Sequence, residues 1–146
     1  MIKVSTEGLT QRYDRFVDDC IIALFDTEPA DTDYNISITL KKFVGENGSH
    51  AGFCLGDEES SEIEVATHWM YEDDEVVEYT DFEIAGSIAH ELTHAKQFAR
   101  GQINMVNNVW KANNLSTNCD HLTYEEHPWE VEAYAYETIL TDIYWR

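Results

Sequence analysis

The stretch from Thr80 to Gly101, "TDFEIAGSIAHELTHAKQFARG", carries the pattern of one long helix. Thr80 followed by Glu83 matches a capping box, in which each side chain satisfies a backbone amide of the first turn. Apolar residues at spacings of three and four form one face, made of Ile84, Ile88, Leu92, Ala95 and Ala99. We therefore predict a helix that begins near Asp81 and ends at Gly101.

This helix places two histidines where they can share one ion. His90 and His94 lie about 40° apart on a polar face that differs from the apolar one. Two imidazoles one turn apart can bind the same metal, and Zn²⁺ favours nitrogen ligands in tetrahedral geometry. Glu91 lies about 100° further round the helix, where it misses the metal but can reach a water molecule held on it. The pattern predicts a zinc site with Glu91 as general base.

A catalytic zinc site needs a third protein ligand and one open position. The candidates lie downstream in "CDHLTYEEHPWEVEAYAYE", residues 119–137. Pro128 suits the first position of a last helix. Glu130 then falls in the first turn of that helix, where its carboxylate can point at the histidines when the two helices pack together. Glu130 is therefore the preferred third ligand.

The motif "HELTHAKQ" (90–97) followed by "PWEVEAYAYE" (128–137) resembles the zinc metallopeptidases of the gluzincin type. The likeness is greatest to minimal bacterial and phage-like members that combine HExxH with a downstream E-x-x-A motif. It covers residues 84–140, less than half of the chain. The resemblance implies zinc held by His90, His94 and Glu130, with Glu91 as the base. It also implies hydrolysis of peptide bonds and a small sheet packed over the first metal helix.

The chain departs from that family pattern around the third ligand. Many relatives have an acidic residue one turn after the ligand glutamate, where it orients a histidine, but this chain has Tyr134 there. The E-x-x-A motif can also be read from Glu132, and we prefer Glu130. A histidine or a thiolate could also complete the site, which leaves His121, His127 and Cys119 as further candidates.

Peptide hydrolysis also needs a hydrogen-bond donor for the negative charge that develops on the carbonyl oxygen. The candidates for this role are Tyr124, Tyr134 and His127. Gln97 shares the metal face of the helix and can hold a ligand in place, although a solvated glutamine fits the sequence equally well. The roles of these residues stay open at the level of sequence.

Periodic apolar residues outside the two metal helices predict a scaffold. We expect a short strand at residues 2–4 and an amphipathic helix over residues 9–24. The segment "EPADTDYN" (28–35) ends this helix with a proline and turn formers. Residues 102–127 mix asparagines with single apolar residues, so we expect irregular structure there with a strand near Val109.

Alternating apolar residues predict strands over residues 36–40, 51–55 and 63–69, and "GENGS" (45–49) is typical of a hairpin turn. The predicted class is α+β. The expected fold is zincin-like, with a small antiparallel or mixed sheet packed on the N-terminal helix, the HExxH helix and a C-terminal helix. In related folds a substrate peptide pairs with an exposed sheet edge. We expect that edge to be "SEIEVATHW" (61–69), the last strand before the metal helix.

Length and composition fit a single domain over residues 1–146, with 43% apolar residues. The net charge of −20, from 29 acidic and 9 basic side chains, opposes direct binding to nucleic acids and anionic membranes. The apolar runs are too short to cross a bilayer and the N-terminus has no secretion pattern. A cytoplasmic location is therefore expected, with the three cysteines reduced.

Two acidic segments, 57–64 and 72–83, suggest that a peptide or protein substrate with basic character binds best. The competing hypothesis is a non-catalytic acidic binding protein. In that hypothesis the metal is structural and the surface mimics nucleic acid to capture a basic partner. Glu91 favours the enzyme, because a closed structural site has no use for a base beside an open coordination position.

Overall fold

Three helices and three small β-sheets form the part of the chain that the computed structural model describes, which comprises residues 1–26, 33–105, 107–112 and 115–146. The helices are α1 (Gln11–Phe25), α2 (Asp81–Ala99) and α3 (Pro128–Tyr144). The predicted α+β class is confirmed. None of the helices in these ranges has both the length and the apolar character needed to cross a membrane.

The main sheet has four strands, β1 (Ile2–Glu7), β2 (Tyr34–Lys41), β3 (Gly52–Gly56) and β4 (Ser60–Ala66). Their order is β1-β2-β4-β3, with β1, β2 and β4 parallel and β3 antiparallel to β4. The first two strands are parallel because α1 lies between them and carries the chain back across the sheet. The sheet is therefore mixed, which is one of the two forms that the sequence predicts.

The main core lies where α1, α2 and the two central strands meet. Helix α1 buries the predicted apolar stripe, and the strand and helix expected at the N-terminus are confirmed. Strands β2 and β4 contribute alternate buried residues to the same core, namely Tyr34, Ile36, Ile38, Ile63 and Val65. The turn predicted over residues 28–35 lies mostly outside the described residues.

The turn predicted at residues 45–49 is present and is closed by an antiparallel bridge between Val44 and His50, but the strands that flank it, β2 and β3, do not pair because β4 lies between them. The prediction that residues 61–69 form the exposed edge is wrong. Strand β4 is paired on both sides and ends at Ala66, and the chain continues into a separate strand, β5 (His68–Met70). Strand β5 pairs with β6 (Val76–Glu78). The edge beside α2 is β3, whose outward-facing Phe53 and Leu55 remain exposed.

Helix α2 has the predicted limits. Its N-terminus carries the capping box, with Glu83 N donating to Thr80 Oγ1 over 3.1 Å and Thr80 N donating to Glu83 Oε1 over 3.0 Å. Gly101 follows the helix with φ of 65°, which favours glycine. Every residue from 84 to 98 except Ser87 is buried. The face that carries the histidines is therefore polar but covered, because β3 and α3 pack against α2.

The described residues between 102 and 127 are more regular than the sequence predicts. The strand near Val109 is confirmed as β8 (Val109–Ala112), which pairs with β7 (Ile103–Asn104) and with β9 (Leu115–Asn118). A small second core lies beside this sheet, formed by Phe98, Ile103, Cys119 and Trp129. Helix α3 begins at Pro128 as expected and packs along α2. This packing decides which residues meet the two histidines.

Candidate metal centre

Helix α3 brings Glu130 against both histidines of α2. His90 Nε2 lies 2.9 Å from Glu130 Oε1, and His94 Nε2 lies 3.2 Å from Glu130 Oε2. The three side chains are almost fully buried, with 7%, 8% and 4% of their surface exposed for His90, His94 and Glu130. The two imidazoles and the carboxylate that the sequence nominates are therefore in direct contact.

The separations of these atoms fit a small cation. In a tetrahedral site with metal–ligand bonds near 2.0–2.1 Å, neighbouring ligand atoms are roughly 3.3 Å apart. The two nitrogen–oxygen distances of 2.9 and 3.2 Å are only slightly shorter than that edge. An outward movement of ~0.3 Å would bring each imidazole and the carboxylate close to the ligand separation of a zinc site.

The hydrogen bonds of Gln97 determine which nitrogen of His94 carries the proton. Gln97 Nε2 donates to the carbonyl oxygen of Trp129 over 3.0 Å and to Glu132 Oε1 over 3.2 Å. Since both partners are acceptors, the other end of the amide is Oε1, which lies 2.8 Å from His94 Nδ1. An amide oxygen can only accept, so His94 Nδ1 must be the donor. The lone pair of a neutral His94 is thus on Nε2, facing Glu130.

Glu137 lies beside His90, at the ring nitrogen opposite the one that faces Glu130. Its Oε1 lies 3.2 Å from His90 Nδ1, an ion-pair distance at which the geometry falls short of a hydrogen bond. His90 thus lies between two carboxylates, Glu137 at Nδ1 and Glu130 at Nε2, and a ring that is protonated or metal-bound interacts favourably with both. At His94, whose Nδ1 proton is donated to Gln97, the Nε2 lone pair of the neutral ring faces a carboxylate that only accepts. These two facing acceptors require a positive charge between them, which is either an added proton or a metal cation.

The electrostatics of the cluster also favour added positive charge. Burial opposes charge on His90, but the carboxylates of Glu130 and Glu137 outweigh it and raise the pKa of His90 to about 9. Burial likewise opposes charge on His94, and Glu130 and Glu91 raise its pKa. Burial of Glu130 is outweighed by its contacts with the two histidines, which hold its pKa at about 2. The cluster thus keeps its carboxylate ionised and stabilises cationic partners.

Glu91 lies beside the two histidines. Unlike them, it makes no hydrogen bond or ion pair with Glu130. Ligand atoms of His90, Glu91 and His94 all lie within 4.8 Å of one another. The Glu91 side chain is 7% exposed, and burial raises its pKa, an effect that His94 and His90 partly offset. A buried carboxylate with a raised pKa beside two imidazoles has the properties of a general base.

The structure does not bring the remaining third-ligand candidates to the histidines. Glu132 instead contacts Lys96 Nζ and Gln97 Nε2, each over 3.2 Å. Cys119 is buried in the second core, where its Sγ donates to the carbonyl oxygen of Thr117. His121 is exposed, and His127 stacks on Trp129 with ring centroids 4.4 Å apart. Only Glu130, among the residues nominated from sequence, has its carboxylate at both Nε2 atoms.

A cleft of about 570 Å³ opens over this cluster. Tyr124 and Tyr134, two of the predicted oxyanion donors, line it, whereas His127 is not among the lining residues. The Tyr134 ring lies 4.6 Å from the His90 ring in an edge contact, and the Tyr124 hydroxyl interacts with Glu130. Strand β3 forms another wall through Gly52, Phe53 and Cys54. The exposed sheet edge and the candidate catalytic groups therefore share one cleft.

Sequence reasoning assigns no role to three residues of this site. Glu137 follows Glu130 by seven positions, so two helical turns place both on one face of α3, and this spacing could have identified it. His50 and Gly52 line the cleft from β3 and the loop before it. No pattern in the sequence links these two residues to α2, because the link is made by the order of strands in the sheet.

Comparisons of the chain with models of known protein families, with curated protein sequences and with solved structures find no match. Function is therefore inferred from the geometry and chemistry of this site.

Replacing Gln97 tests whether its amide prepares His94 for a metal. We expect Gln97→Ala to weaken zinc binding by about 10- to 100-fold, because His94 loses the acceptor that fixes its ring and its tautomer. Titration of the metal-stripped protein with zinc, in competition with a chelator of known affinity, measures the change. Gln11→Ala, at an exposed position of α1, is the matched control. Equal affinities for the Gln97→Ala and wild-type proteins would contradict this role.

Proposed function

We propose that this protein is a zinc-dependent metallopeptidase that hydrolyses peptide bonds in the cleft between β3 and the packed helices α2 and α3. One observation carries the proposal. His94 Nδ1 donates its proton to Gln97 Oε1. The Nε2 atom of the neutral ring therefore carries the lone pair, which faces the Glu130 carboxylate across 3.2 Å. This arrangement is the one expected for a histidine and a carboxylate that bind the same cation.

In this proposal His90, His94 and Glu130 hold the metal. Two nitrogens and one oxygen suit zinc, and three protein ligands are typical of catalytic zinc sites, whereas structural sites usually have four. Bound zinc would supply Lewis acidity, which polarises a carbonyl group and makes water more acidic. Gln97 and Glu137 would orient the two imidazoles from the opposite ring nitrogens.

Glu91 is the proposed general base. Its burial raises its pKa, so the carboxylate is a better proton acceptor than an exposed glutamate. It would take a proton from the attacking water and pass it to the amine that leaves. In the described part of the chain Glu91 forms no ion pair with a lysine or arginine, so no such cation competes with the proton for the Glu91 carboxylate.

The tyrosines of the cleft are the proposed oxyanion donors. Tyr124 and Tyr134 are half-exposed, at 59% and 48%, and both line the cleft beside the histidines. Burial raises the pKa of both hydroxyl groups, with a further contribution from Glu130, so both stay protonated and able to donate at neutral pH. A hydroxyl placed at the developing negative charge stabilises the transition state more than the substrate.

The substrate in this proposal is an extended peptide bound along the edge of β3. This strand pairs only with β4 among the described strands, so its other side can accept a further strand. The acidic segment 57–64 directly follows β3 in the chain and continues into β4, and its carboxylates favour basic peptides. A zincin-like fold, with the substrate edge now assigned to β3, is part of the same proposal.

The competing hypothesis of an acidic binding protein draws support from the net charge of −20 and from the small size of the chain, 146 residues. It does not account for a nearly buried carboxylate at residue 91 that lines an open cleft beside the two histidines. The enzyme hypothesis explains both the cleft and the position of this group.

Removing and restoring the metal tests the proposed function. We expect about one zinc ion per chain, cleavage of peptides in a proteome-derived library, loss of cleavage after chelation, and recovery with zinc but not with magnesium. Mass spectrometry of the library identifies cleaved bonds, and cleavage that slows with added salt would support a preference for basic peptides. A zinc-loaded protein that cleaves no peptide in the library would contradict the proposal.

A further inference from the structure

Gly52 of β3 lies directly against the side chain of Glu91. A Cβ atom built on Gly52 would lie 2.9 Å from Glu91 Cγ and 3.3 Å from Glu91 Oε1. The first distance is far below the separation of two carbon atoms in contact, which is about 3.5–4.0 Å. The space that a side chain at position 52 would occupy is therefore already filled by the proposed base.

The conflict comes from lack of space and not from the backbone. Gly52 is not among the glycines with positive φ, so its backbone conformation is open to other residues. Its strand is also fixed in position. Gly52 pairs in register with Val65, and Ala66 N donates to the carbonyl oxygen of Ala51 over 2.9 Å. The added atom would also contact the carbonyl oxygen of Glu64 at 3.4 Å, so it could not retreat toward the sheet.

Glu91 has little room to yield in the opposite direction. Its side chain is 7% exposed, its neighbours His90 and His94 are buried, and Cys54 lies close enough for the two to interact. A methyl group at position 52 would therefore push the carboxylate out of its place and along the cleft that it lines. In tightly packed sites such a displacement changes side-chain rotamers.

We infer that Gly52 is a positioning residue for Glu91, and that the missing side chain at this point of β3 is what allows the carboxylate to reach its place beside the two histidines. This inference rests on the proposed function for its effect on catalysis. It predicts that a side chain at position 52 removes hydrolysis but leaves the metal ligands on α2 and α3 in place, since the three atoms nearest to the added Cβ belong to Glu91 and Glu64.

The experiment compares Gly52→Ala with the wild-type protein. We expect kcat to fall by about 100-fold, as is usual when a catalytic group is displaced by about 1 Å, with zinc content unchanged and KM changed only a few-fold. Gly86→Ala is the matched control, because a Cβ there meets another carboxylate residue, Glu137, at an ordinary contact distance of 3.4 Å. We expect Gly86→Ala to keep wild-type activity within about 3-fold.

A stability cycle decides the inference without any assay of turnover. We expect Gly52→Ala to lower Tm by roughly 5 °C in the wild-type background. In a Glu91→Ala background, where the conflicting side chain is gone, the same substitution should lower Tm by at most about 1 °C. Equal losses of Tm in the two backgrounds, or full activity of Gly52→Ala, would overturn the inference. Absence of hydrolysis in the wild-type protein would instead count against the proposed function, and the cycle would still report on Gly52.

Discussion

Glu91→Gln is expected to lower peptide hydrolysis by about 10²- to 10⁴-fold while zinc binding is retained. The amide has the shape of the carboxylate and can occupy the same space between β3 and the histidines, so the fold and the three ligands should be undisturbed. It cannot take the proton of the attacking water, because the amide oxygen is a far weaker base. The rate should therefore fall in kcat, with little change in KM.

The measurement pairs zinc content with steady-state kinetics on a peptide identified by the library experiment. Glu7→Gln, the same isosteric change at an exposed position of β1, is the control and should match the wild type in both measurements. Full turnover by Glu91→Gln would exclude Glu91 as the base. Loss of zinc in that variant would show instead that Glu91 is a ligand.

Glu130→Ala is expected to weaken zinc binding by more than about 100-fold, whereas Glu132→Ala should bind zinc within a few-fold of the wild type. Only the first substitution removes a carboxylate that faces both Nε2 atoms. The second removes the partner of Lys96 and one of two acceptors for the Gln97 amide, and the Trp129 carbonyl oxygen still holds that amide. The pair therefore separates the two glutamates that the E-x-x-A motif allows.

Zinc titration of the two metal-stripped variants, with circular dichroism to verify folding, gives the comparison. The reverse order of affinities, with Glu132→Ala the weaker binder, would assign the third ligand to Glu132 and contradict the contacts of the two glutamates in the structure. Wild-type affinity of both variants would show that neither Glu130 nor Glu132 is a zinc ligand.

Local patterns predict the helical half of the site well. The capping box at Thr80 and the glycine at position 101 set the limits of α2, and Pro128 marks the start of α3. Each depends on residues only a few positions apart, where steric and hydrogen-bonding preferences act directly. Such short-range rules also place the two histidines on one face of α2.

The order of the strands in the sheet cannot be predicted from such short-range patterns. Residues 51–55 and 63–65 have similar alternation, so their pattern does not tell which strand is central and which is the edge. The order depends on the crossover through α1 and on the pairing of β2 with β4, which are contacts between distant parts of the chain. Gly52 reaches Glu91 only through that order, and its role is therefore invisible in the sequence.

The positions of Glu137 and Gln97 can be predicted only in part from the sequence. Gln97 can be nominated from sequence because it shares a helix face with the histidines, but its buried bonds to Trp129 and Glu132 depend on the packing of α3. The resemblance noted in the sequence implies an acidic residue one turn after Glu130, where this chain has Tyr134, and the carboxylate beside His90 belongs instead to Glu137. Helical spacing restricts such candidates to one face, and the approach of a second helix selects among them.

X-ray diffraction from zinc-loaded crystals, recorded at the zinc absorption edge, tests the central claim most directly. We predict one anomalous peak, at about 2.0–2.2 Å from His90 Nε2, His94 Nε2 and an oxygen of Glu130, with Glu91 outside bonding distance. A peak elsewhere in the molecule, or a zinc ion enclosed by four protein ligands that include Glu91, would contradict it.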